Sequence, residues 1–362
     1  LYQKVSDLEL ELYRIEDSGL RQAHFELKRE MNRDFSRFLE GEYPGWVADP
    51  DSRPPMSLDI MPQFVVPHLK DGHTVYLIVI DCMRYDQWLS IQPQLESLFR
   101  SEVNLYYSVV PSATAYSRNA IFSGLLPAQM AKQHPQWWKE TVGDDKGKNR
   151  FEAEFLQEHL KRLGHEGMKF KYQRILHPDE ETAVRRQIAT YAGLPRVTFV
   201  FNFLDLLTHG RSESRVLKEL APDEAGFRSL LDSWFSHSAL LDILKSIAKQ
   251  DATVILTTDH GAVQARRSTL VHGDRETSTN LRHKHGGNLR CEEKDAVLIK
   301  RPGEWGLPDD FLNKNYLLAR EDFYFVYPTN FHEYERLYRN SFQHGGTAME
   351  EVILPCVVLT PR

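Results

Sequence analysis

The sequence predicts an α/β fold: a doubly wound, mostly parallel sheet, with a small helical segment at its N-terminal end. Three apolar, β-prone runs carry this prediction, at residues 75–80, 197–201 and 253–258. None of them alternates polar with apolar residues, which is typical of strands buried on both faces of a parallel sheet. Helical periodicity between the runs supplies the crossovers that parallel strands require.

The N-terminal part precedes this pattern. Residues 1–40 repeat apolar residues at helical spacing, with a break at Ser18-Gly19, and predict a helical hairpin or the end of a bundle. Residues 41–72 are rich in Pro and Gly and predict a linker or an extended wrapping segment. Residues 73–362 form the expected α/β domain. Because the chain begins at Leu1 rather than Met, we expect it to be a fragment of a longer protein.

The remaining elements follow from the same periodicities. Further strands are expected near residues 105–110, 168–175, 295–300, 323–327 and 352–359. Helices are expected near residues 85–99, 117–123, 151–163, 180–191 and 223–249.

Bulk composition excludes some classes of protein. No apolar run approaches the roughly 18 residues that span a membrane, so no membrane insertion is expected. The three scattered cysteines, Cys82, Cys291 and Cys356, favour reduced thiols in a cytoplasmic protein over a disulfide framework. The net charge of −6 is mild and does not forbid a nucleotide ligand, because bound cations can carry the local charge.

Each of the three buried runs is followed by an aspartate: Asp81, Asp205 and Asp259. The carboxyl ends of parallel strands meet at one edge of the sheet, where such folds bind ligands. Three converging carboxylates need a counter-charge to stay ionised, and a metal cluster is the usual one. Histidine follows at close range, as His209 after Asp205 and as His260 after Asp259.

Two loops complete the pattern. Residues 111–124 form a small-residue loop with Thr114 that runs into a short helix, and a helix start suits an anion. Residues 343–355 place His344 on a glycine loop before a final core strand.

Taken in order, these motifs resemble the alkaline phosphatase superfamily, and the sequence of residues 81–86 is similar to that of its PglZ branch. The resemblance implies two Zn²⁺ ions. It implies that Asp205, His209 and His344 bind one ion, and that Asp81, Asp259 and His260 bind the other. It also implies that Thr114 is the nucleophile and forms a phospho-threonine intermediate. We therefore expect a phosphodiesterase that acts on nucleotide or oligonucleotide diesters.

Substrate contacts are expected from two regions. Arg118 and Asn119 follow the nucleophile and could bind a phosphoryl oxygen. Lys284, His285 and Asn288 lie in a polar stretch that could clamp a substrate phosphate, although a solvated basic loop would have the same composition.

The resemblance extends to response regulators of the type IX secretion system, which join a receiver, a helical bundle and a PglZ domain. It implies a receiver domain upstream of residue 1 and secretion-system or sigma-factor partners. A homodimer stays open.

Two other functions stay open: a nucleotide- or protein-binding regulatory module with little turnover, and a phosphomonoesterase or phosphomutase-like enzyme. An acid-dehalogenase-type phosphatase is disfavoured because Met83, not a second Asp, stands two residues after Asp81.

Overall fold

The structure, a computed structural model, describes residues 1–15, 17–138, 149–274, 277–310 and 312–362. Within these ranges the α-helices are α1 (Tyr2–Tyr13), α2 (Ser18–Ala48), α3 (Tyr85–Ile91), α4 (Thr114–Ser123), α5 (Pro127–Gln133), α6 (Glu152–Arg162), α7 (Pro178–Gln187), α8 (Phe203–Glu213), α9 (Arg215–Leu220), α10 (Glu224–His237), α11 (Ala239–Ile247), α12 (Phe331–Tyr338) and α13 (Met349–Val352). The strands are β1 (Thr74–Ile80), β2 (Phe99–Tyr107), β3 (Phe170–Ile175), β4 (Arg196–Phe201), β5 (Ala252–Thr257), β6 (Val263–Ala265), β7 (Arg267–Leu270), β8 (His283–Gly287), β9 (Ala296–Ile299), β10 (Lys314–Ala319), β11 (Phe323–Val326), β12 (Ser341–Gln343) and β13 (Ile353–Pro361).

The two N-terminal helices pack on the α/β domain. Asp17 caps α2 by accepting the N–H groups of Gly19 and Leu20 at 2.8 and 3.0 Å. The helix was expected to end near residue 40 but continues to Ala48, through an internal proline. Burial explains the extension, because Tyr43 is fully buried in the last turns and stacks on Trp305 of the α/β domain with ring centroids 5.2 Å apart.

The segment between α2 and β1 was expected to be a linker or an extended wrapping segment. It contains short helical turns at Ser57–Asp59, Ile60–Val65 and Val66–His68. Ile60 and Met61 are fully buried in the main core. The segment is therefore packed against the domain rather than free of it.

The central sheet has the order β2-β13-β5-β1-β4-β3 in the described residues. β1 pairs in parallel with both β4 and β5, and β3 pairs in parallel with β4. β13 is antiparallel to β5 and to β2. This is the mostly parallel α/β sheet that the sequence predicts, and every residue of β1, β4 and β5 is buried.

This topology places the functional side chains. β5, β1 and β4 are neighbours and run in the same direction, so their carboxyl ends lie side by side. β13 runs the opposite way, so its first residue, Ile353, lies at the same edge. The segment from His344 to Val352 therefore reaches the edge at which Asp81, Asp205 and Asp259 are placed.

Four further expected elements differ from the structure. The helix expected over residues 85–99 ends at Ile91, and β2 already begins at Phe99. The helix expected over residues 223–249 is divided at Ser238, whose side chain caps α11 by accepting from Leu241 N–H. The strand expected from residue 105 begins at Phe99, because its whole length pairs with β13. The stretch expected to be a polar loop contains β8, which pairs with β10.

Candidate metal centre and nucleophile

The three aspartates sit at neighbouring strand ends. Asp81 directly follows β1, and Asp259 comes two residues after β5. Asp205 lies in the first turn of α8, just beyond β4. Asp81 and Asp259 are fully buried, and the Asp205 side chain is 17% exposed.

A strained turn after β1 brings two of these carboxylates together. Cys82 adopts a left-handed backbone with φ 70°, a conformation that few residues other than glycine adopt. Its N–H donates to Asp259 Oδ1 at 3.3 Å, and the next N–H, of Met83, donates to Thr258 Oγ1 at 2.9 Å. The turn therefore fixes the end of β1 against the end of β5.

Histidine nitrogens converge on the carboxylates. His260 Nε2 lies 3.6 Å from Asp81 Oδ1 and 3.7 Å from Asp259 Oδ2. His344 Nε2 lies 3.7 Å from Asp205 Oδ1, and His209 Nε2 lies 3.2 Å from the same oxygen. The His260 and His344 rings stack with centroids 4.0 Å apart, which joins the two groups into one cluster.

Two overlapping sets have a geometry that could hold a metal ion: Asp81, Asp259 and His260, and Asp205, His260 and His344. Both expected ligand sets thus lie together, with His209 at the exposed margin of the second. His260 borders both sets, whereas the sequence assigned it to one ion only.

Burial and charge repulsion control the acidity of the cluster. Burial, followed by the nearby charge of Asp259, raises the pKa of Asp81 well above its ordinary value. Burial also raises the pKa of Asp259 to about 6. Burial acts in the same direction on Asp205, but the hydrogen bond and charge of His209 outweigh it and lower the pKa of that carboxyl.

The donor set fits a divalent metal ion. Asp81 Oδ1 and Asp259 Oδ2 are buried oxygens that have no hydrogen-bond partner among the described residues. His260 Nδ1 lies 3.1 Å from the Gly261 carbonyl, which only accepts, so Nδ1 carries the proton and Nε2 presents its lone pair to the cluster. Carboxylate oxygen and imidazole nitrogen are ligands that suit Zn²⁺.

Thr114 lies beside this cluster. It is the first residue of α4, not part of the preceding loop, and its Oγ1 is 2.9 Å from His260 Nε2. The start of a helix carries a partial positive charge that favours an anion. The hydroxyl is therefore within reach of any group held by the histidine and the buried carboxylates.

Arg118 and Asn119, which were expected to contact substrate, are both buried. The Arg118 guanidinium is buried between Asp81 and Glu152, and its Nη1 also lies 3.8 Å from Asp259 Oδ2. Asn119 is fully buried and donates to the Ala115 carbonyl within α4. The structure thus gives Arg118 a different position from the expected substrate contact: it is a counter-charge beneath the carboxylates.

The polar stretch that was expected to clamp a substrate phosphate contains a strand rather than only a loop. Lys284 and His285 lie on β8 and are buried, because β8 pairs with β10. Lys284 Nζ donates to the Ser278 carbonyl at 2.9 Å, lies 4.6 Å from the centroid of the Tyr327 ring, and burial lowers its pKa to about 7. Asn288 donates to the Asp274 carboxylate at 3.2 Å.

Sequence reasoning missed three polar residues around the cluster. Asn202, at the end of β4, donates to Asp81 Oδ2. Glu152 pairs with Arg118 and accepts from Asn149 Nδ2 at 2.6 Å, and Asn149 also donates to the Thr114 carbonyl at 3.1 Å. Asn202 could have been found, because it directly follows the apolar run of β4. Glu152 and Asn149 carry no comparable signal.

Family comparison covers nearly the whole chain. Residues 60–359 match the BREX system PglZ alkaline phosphatase-like domain, and residues 1–47 match the PorX response regulator linker domain. Both matches confirm the resemblance predicted from the sequence. A search of curated proteins finds no matching sequence.

Two solved structures are similar to this chain at low sequence identity. Murine ectonucleotide pyrophosphatase/phosphodiesterase 5 shares 12% identity at a TM-score of 0.47, over 79% of this chain and 87% of that one. Phosphonoacetate hydrolase from Sinorhizobium meliloti 1021 shares 11% identity at a TM-score of 0.49, over 80% of this chain and 90% of that one.

The described residues contain no helix that is long and apolar enough to cross a membrane. The fold is that of an alkaline phosphatase-like phosphoesterase domain, preceded by a linker of the response-regulator type. Because the PglZ match spans most of its length, the chain belongs to the PglZ alkaline phosphatase-like domain family.

Proposed function

We propose that this chain is a zinc-dependent phosphodiesterase that acts on nucleotide or oligonucleotide diesters through a phospho-threonine intermediate. One observation carries the proposal: three strand-end carboxylates and three histidines form a single cluster, and the Thr114 hydroxyl lies 2.9 Å from one of those histidines. Buried carboxylates with unpartnered oxygens need a counter-charge, and the cluster offers donors of the right type for metal ions.

In this proposal the ligands divide as the family resemblance implies, with one site formed by Asp205, His209 and His344 and the other by Asp81, Asp259 and His260. When bound, two zinc ions would supply positive charge for the transferring phosphoryl group and lower the pKa of nearby oxygen nucleophiles. His260 borders both ligand sets and contacts the nucleophile, so it links metal binding to the position of the Thr114 hydroxyl.

Thr114 performs the covalent step. Its Oγ1 attacks phosphorus and forms a Thr–O–P bond, while the bond from phosphorus to the leaving alcohol breaks and that oxygen takes up a proton. A water molecule then attacks the phospho-threonine, which returns the hydroxyl to Thr114 and releases the phosphate monoester. Two in-line displacements give net retention at phosphorus.

The charge around the site favours a diester over a monoester. A diester carries one negative charge, whereas a monoester near neutral pH carries close to two. Arg118, the arginine that contacts this cluster in the described part of the chain, is already paired with Asp81 and Glu152. It is therefore poorly placed to neutralise the second charge of a monoester.

The linker match supports a regulatory setting. A response-regulator linker directly precedes the catalytic domain. We extend the proposal to a cytoplasmic output domain of a two-component regulator associated with type IX secretion. A receiver in cis, a homodimeric arrangement and secretion-system or sigma-factor partners belong to the same proposal.

A panel of substrates tests the function. Zinc-loaded protein should hydrolyse bis(p-nitrophenyl) phosphate and at least one class among linear dinucleotides, cyclic dinucleotides and short oligonucleotides. The kcat/KM for these diesters should exceed that for p-nitrophenyl phosphate, because Arg118 is already paired with Asp81 and Glu152. A higher kcat/KM for the monoester would favour a phosphomonoesterase. Tight binding of a dinucleotide with no product over hours would favour a regulatory binding module.

A further inference from the structure

Helix α2 contacts the segment that carries one of the metal-ligand candidates. We define the ligand loop as residues 344–351, from His344 to the buried pair Glu350 and Glu351. Helix α2 belongs to the linker match at residues 1–47, whereas the ligand loop belongs to the PglZ match at residues 60–359. Contacts between them therefore join two different family modules.

Asn32 forms the central contact. Its side-chain oxygen accepts the Met349 N–H at 2.7 Å, and its side-chain nitrogen donates to Glu350 Oε2 at 3.0 Å. Asn32 is 5% exposed and Glu350 is 2% exposed, so water does not readily replace either bond. One amide thus uses both of its polar ends to fix the C-terminal part of the ligand loop.

Two more residues of α2 extend this contact along the loop. The Ser36 hydroxyl lies 2.7 Å from Thr347 Oγ1, one helical turn after Asn32. Lys28, one turn before Asn32, places its ammonium group 3.0 Å from Glu350 and 2.7 Å from Glu224. Lys28, Asn32 and Ser36, spaced four residues apart on one face of α2, therefore contact the ligand loop at three positions.

The ligand loop in turn contacts the segment that leads to Thr114 and the segment that carries His260. The Gly346 carbonyl accepts from Ser112 Oγ at 2.9 Å, two residues before Thr114. The Gly261 N–H, next to His260, donates to the Glu351 carbonyl at 3.3 Å. The approach is close, because a Cβ at position 261 would lie 1.9 Å from the Glu350 carbonyl oxygen. A displacement of the loop would therefore move His344 and disturb the segments of His260 and Thr114.

We infer that α2 positions the metal centre, and that Asn32 is the positioning residue through which the linker helix controls the affinity for zinc. The inference rests on the proposed metal-dependent function and adds a means of control to it. Asn32 acts through the ligand loop and touches no reacting atom. Loss of its bonds leaves buried polar groups of Met349 and Glu350 unsatisfied, so the loop must shift to recover them.

Exchange of the two polar partners tests the inference. Asn32→Asp keeps an acceptor for the Met349 N–H but places a carboxylate oxygen against Glu350 Oε2, which repels the loop. The double variant Asn32→Asp/Glu350→Gln restores a donor–acceptor pair with the polarity reversed and keeps the net charge of the cluster. Asp34→Asn is the matched control, since Asp34 is an exposed residue of the same helix.

The measured quantity is the zinc dissociation constant, from competition with a chromogenic chelator in the absence of substrate. Asn32→Asp should raise it by about 10- to 100-fold, the usual effect of losing a partner that orients a ligand. The double variant should return it close to the wild-type value, and Asp34→Asn should leave it unchanged. Rescue by the reversed pair separates positioning from a general loss of packing.

A folded Asn32→Asp protein with wild-type zinc affinity would overturn the inference, as would a double variant no tighter than the single one. If Asn32→Asp does not fold, Ser36→Ala, which removes the contact of α2 with Thr347, decides. Weaker zinc binding in Ser36→Ala supports positioning by α2, and unchanged affinity rejects the inference. Since no substrate is present, a wild-type protein that binds zinc yet hydrolyses no diester would overturn the proposed function and leave the role of Asn32 intact.

Discussion

Thr114→Ala is expected to abolish diester hydrolysis, with kcat lowered by several orders of magnitude, while zinc content and fold are retained. The hydroxyl at the start of α4 lies 2.9 Å from His260 Nε2 and is the group proposed to form the bond to phosphorus. Without it, the covalent route is closed and only weak direct attack by water remains. Steady-state kinetics on bis(p-nitrophenyl) phosphate, with zinc measured on the same sample, gives the comparison.

Two variants make this test specific. Thr114→Ser keeps a hydroxyl at the same position and should retain measurable turnover. Ser117→Ala removes a buried hydroxyl from the same helix, one that donates to the Ala113 carbonyl, and should change kcat only slightly. Near-wild-type kcat in Thr114→Ala would show that Thr114 is a structural residue and that another group performs the attack.

Arg118→Met is expected to produce the largest loss of stability, of about 3–5 kcal/mol in the free energy of unfolding of zinc-free protein. Arg118 is 1% exposed and pairs with Asp81 and Glu152, and it lies 3.8 Å from Asp259. Met has a similar length but no charge, so the variant leaves the buried carboxylates without their guanidinium. Denaturant unfolding of both proteins after removal of zinc measures the difference.

Zinc should reduce this loss. Bound zinc would neutralise Asp81 and Asp259, so zinc should raise the melting temperature of Arg118→Met more than that of the wild type. Arg174→Met is the control, because Arg174 donates to the Asn149 carbonyl at 3.3 Å and the described part of the chain shows no ion pair for it. Equal losses in the two variants, or an equal effect of zinc on Arg118→Met and wild type, would contradict a role for Arg118 as counter-charge.

The sheet and the place of its carboxylates could be predicted because their signal is local. The runs of β1, β4 and β5 are predominantly apolar without polar alternation, and each leads to one aspartate. Strand direction then brings Asp81, Asp205 and Asp259 to one edge without knowledge of any side-chain contact. Their role as metal ligands stays a prediction.

The surroundings of the site could not be predicted in the same way. The stretch His283-Lys284-His285 is polar in composition, and only its pairing with β10, about thirty residues later, makes it a buried strand. Arg118 stands close to Thr114 in sequence, which suggested a substrate contact. Its actual partner Glu152 lies on another helix, so the ion pair is a tertiary feature.

The contacts of α2 with the ligand loop were the hardest feature to predict from the sequence. Asn32 and Ser36 bond to residues more than three hundred positions away in the chain. An isolated Asn or Ser in a helical pattern indicates at most a polar face. The extension of α2 past residue 40 was hidden for a similar reason, since its last turns are stabilised by contacts such as Tyr43 on Trp305.

Zinc stoichiometry tests the central claim most directly. Protein purified without chelators and dialysed against dilute zinc should contain two equivalents per chain by elemental analysis, and one equivalent after Asp205→Ala or His344→Ala. Removal of zinc by a chelator should abolish diester hydrolysis, and added zinc should restore it. Metal-free protein with full activity, or wild-type protein that retains no zinc, would contradict the account.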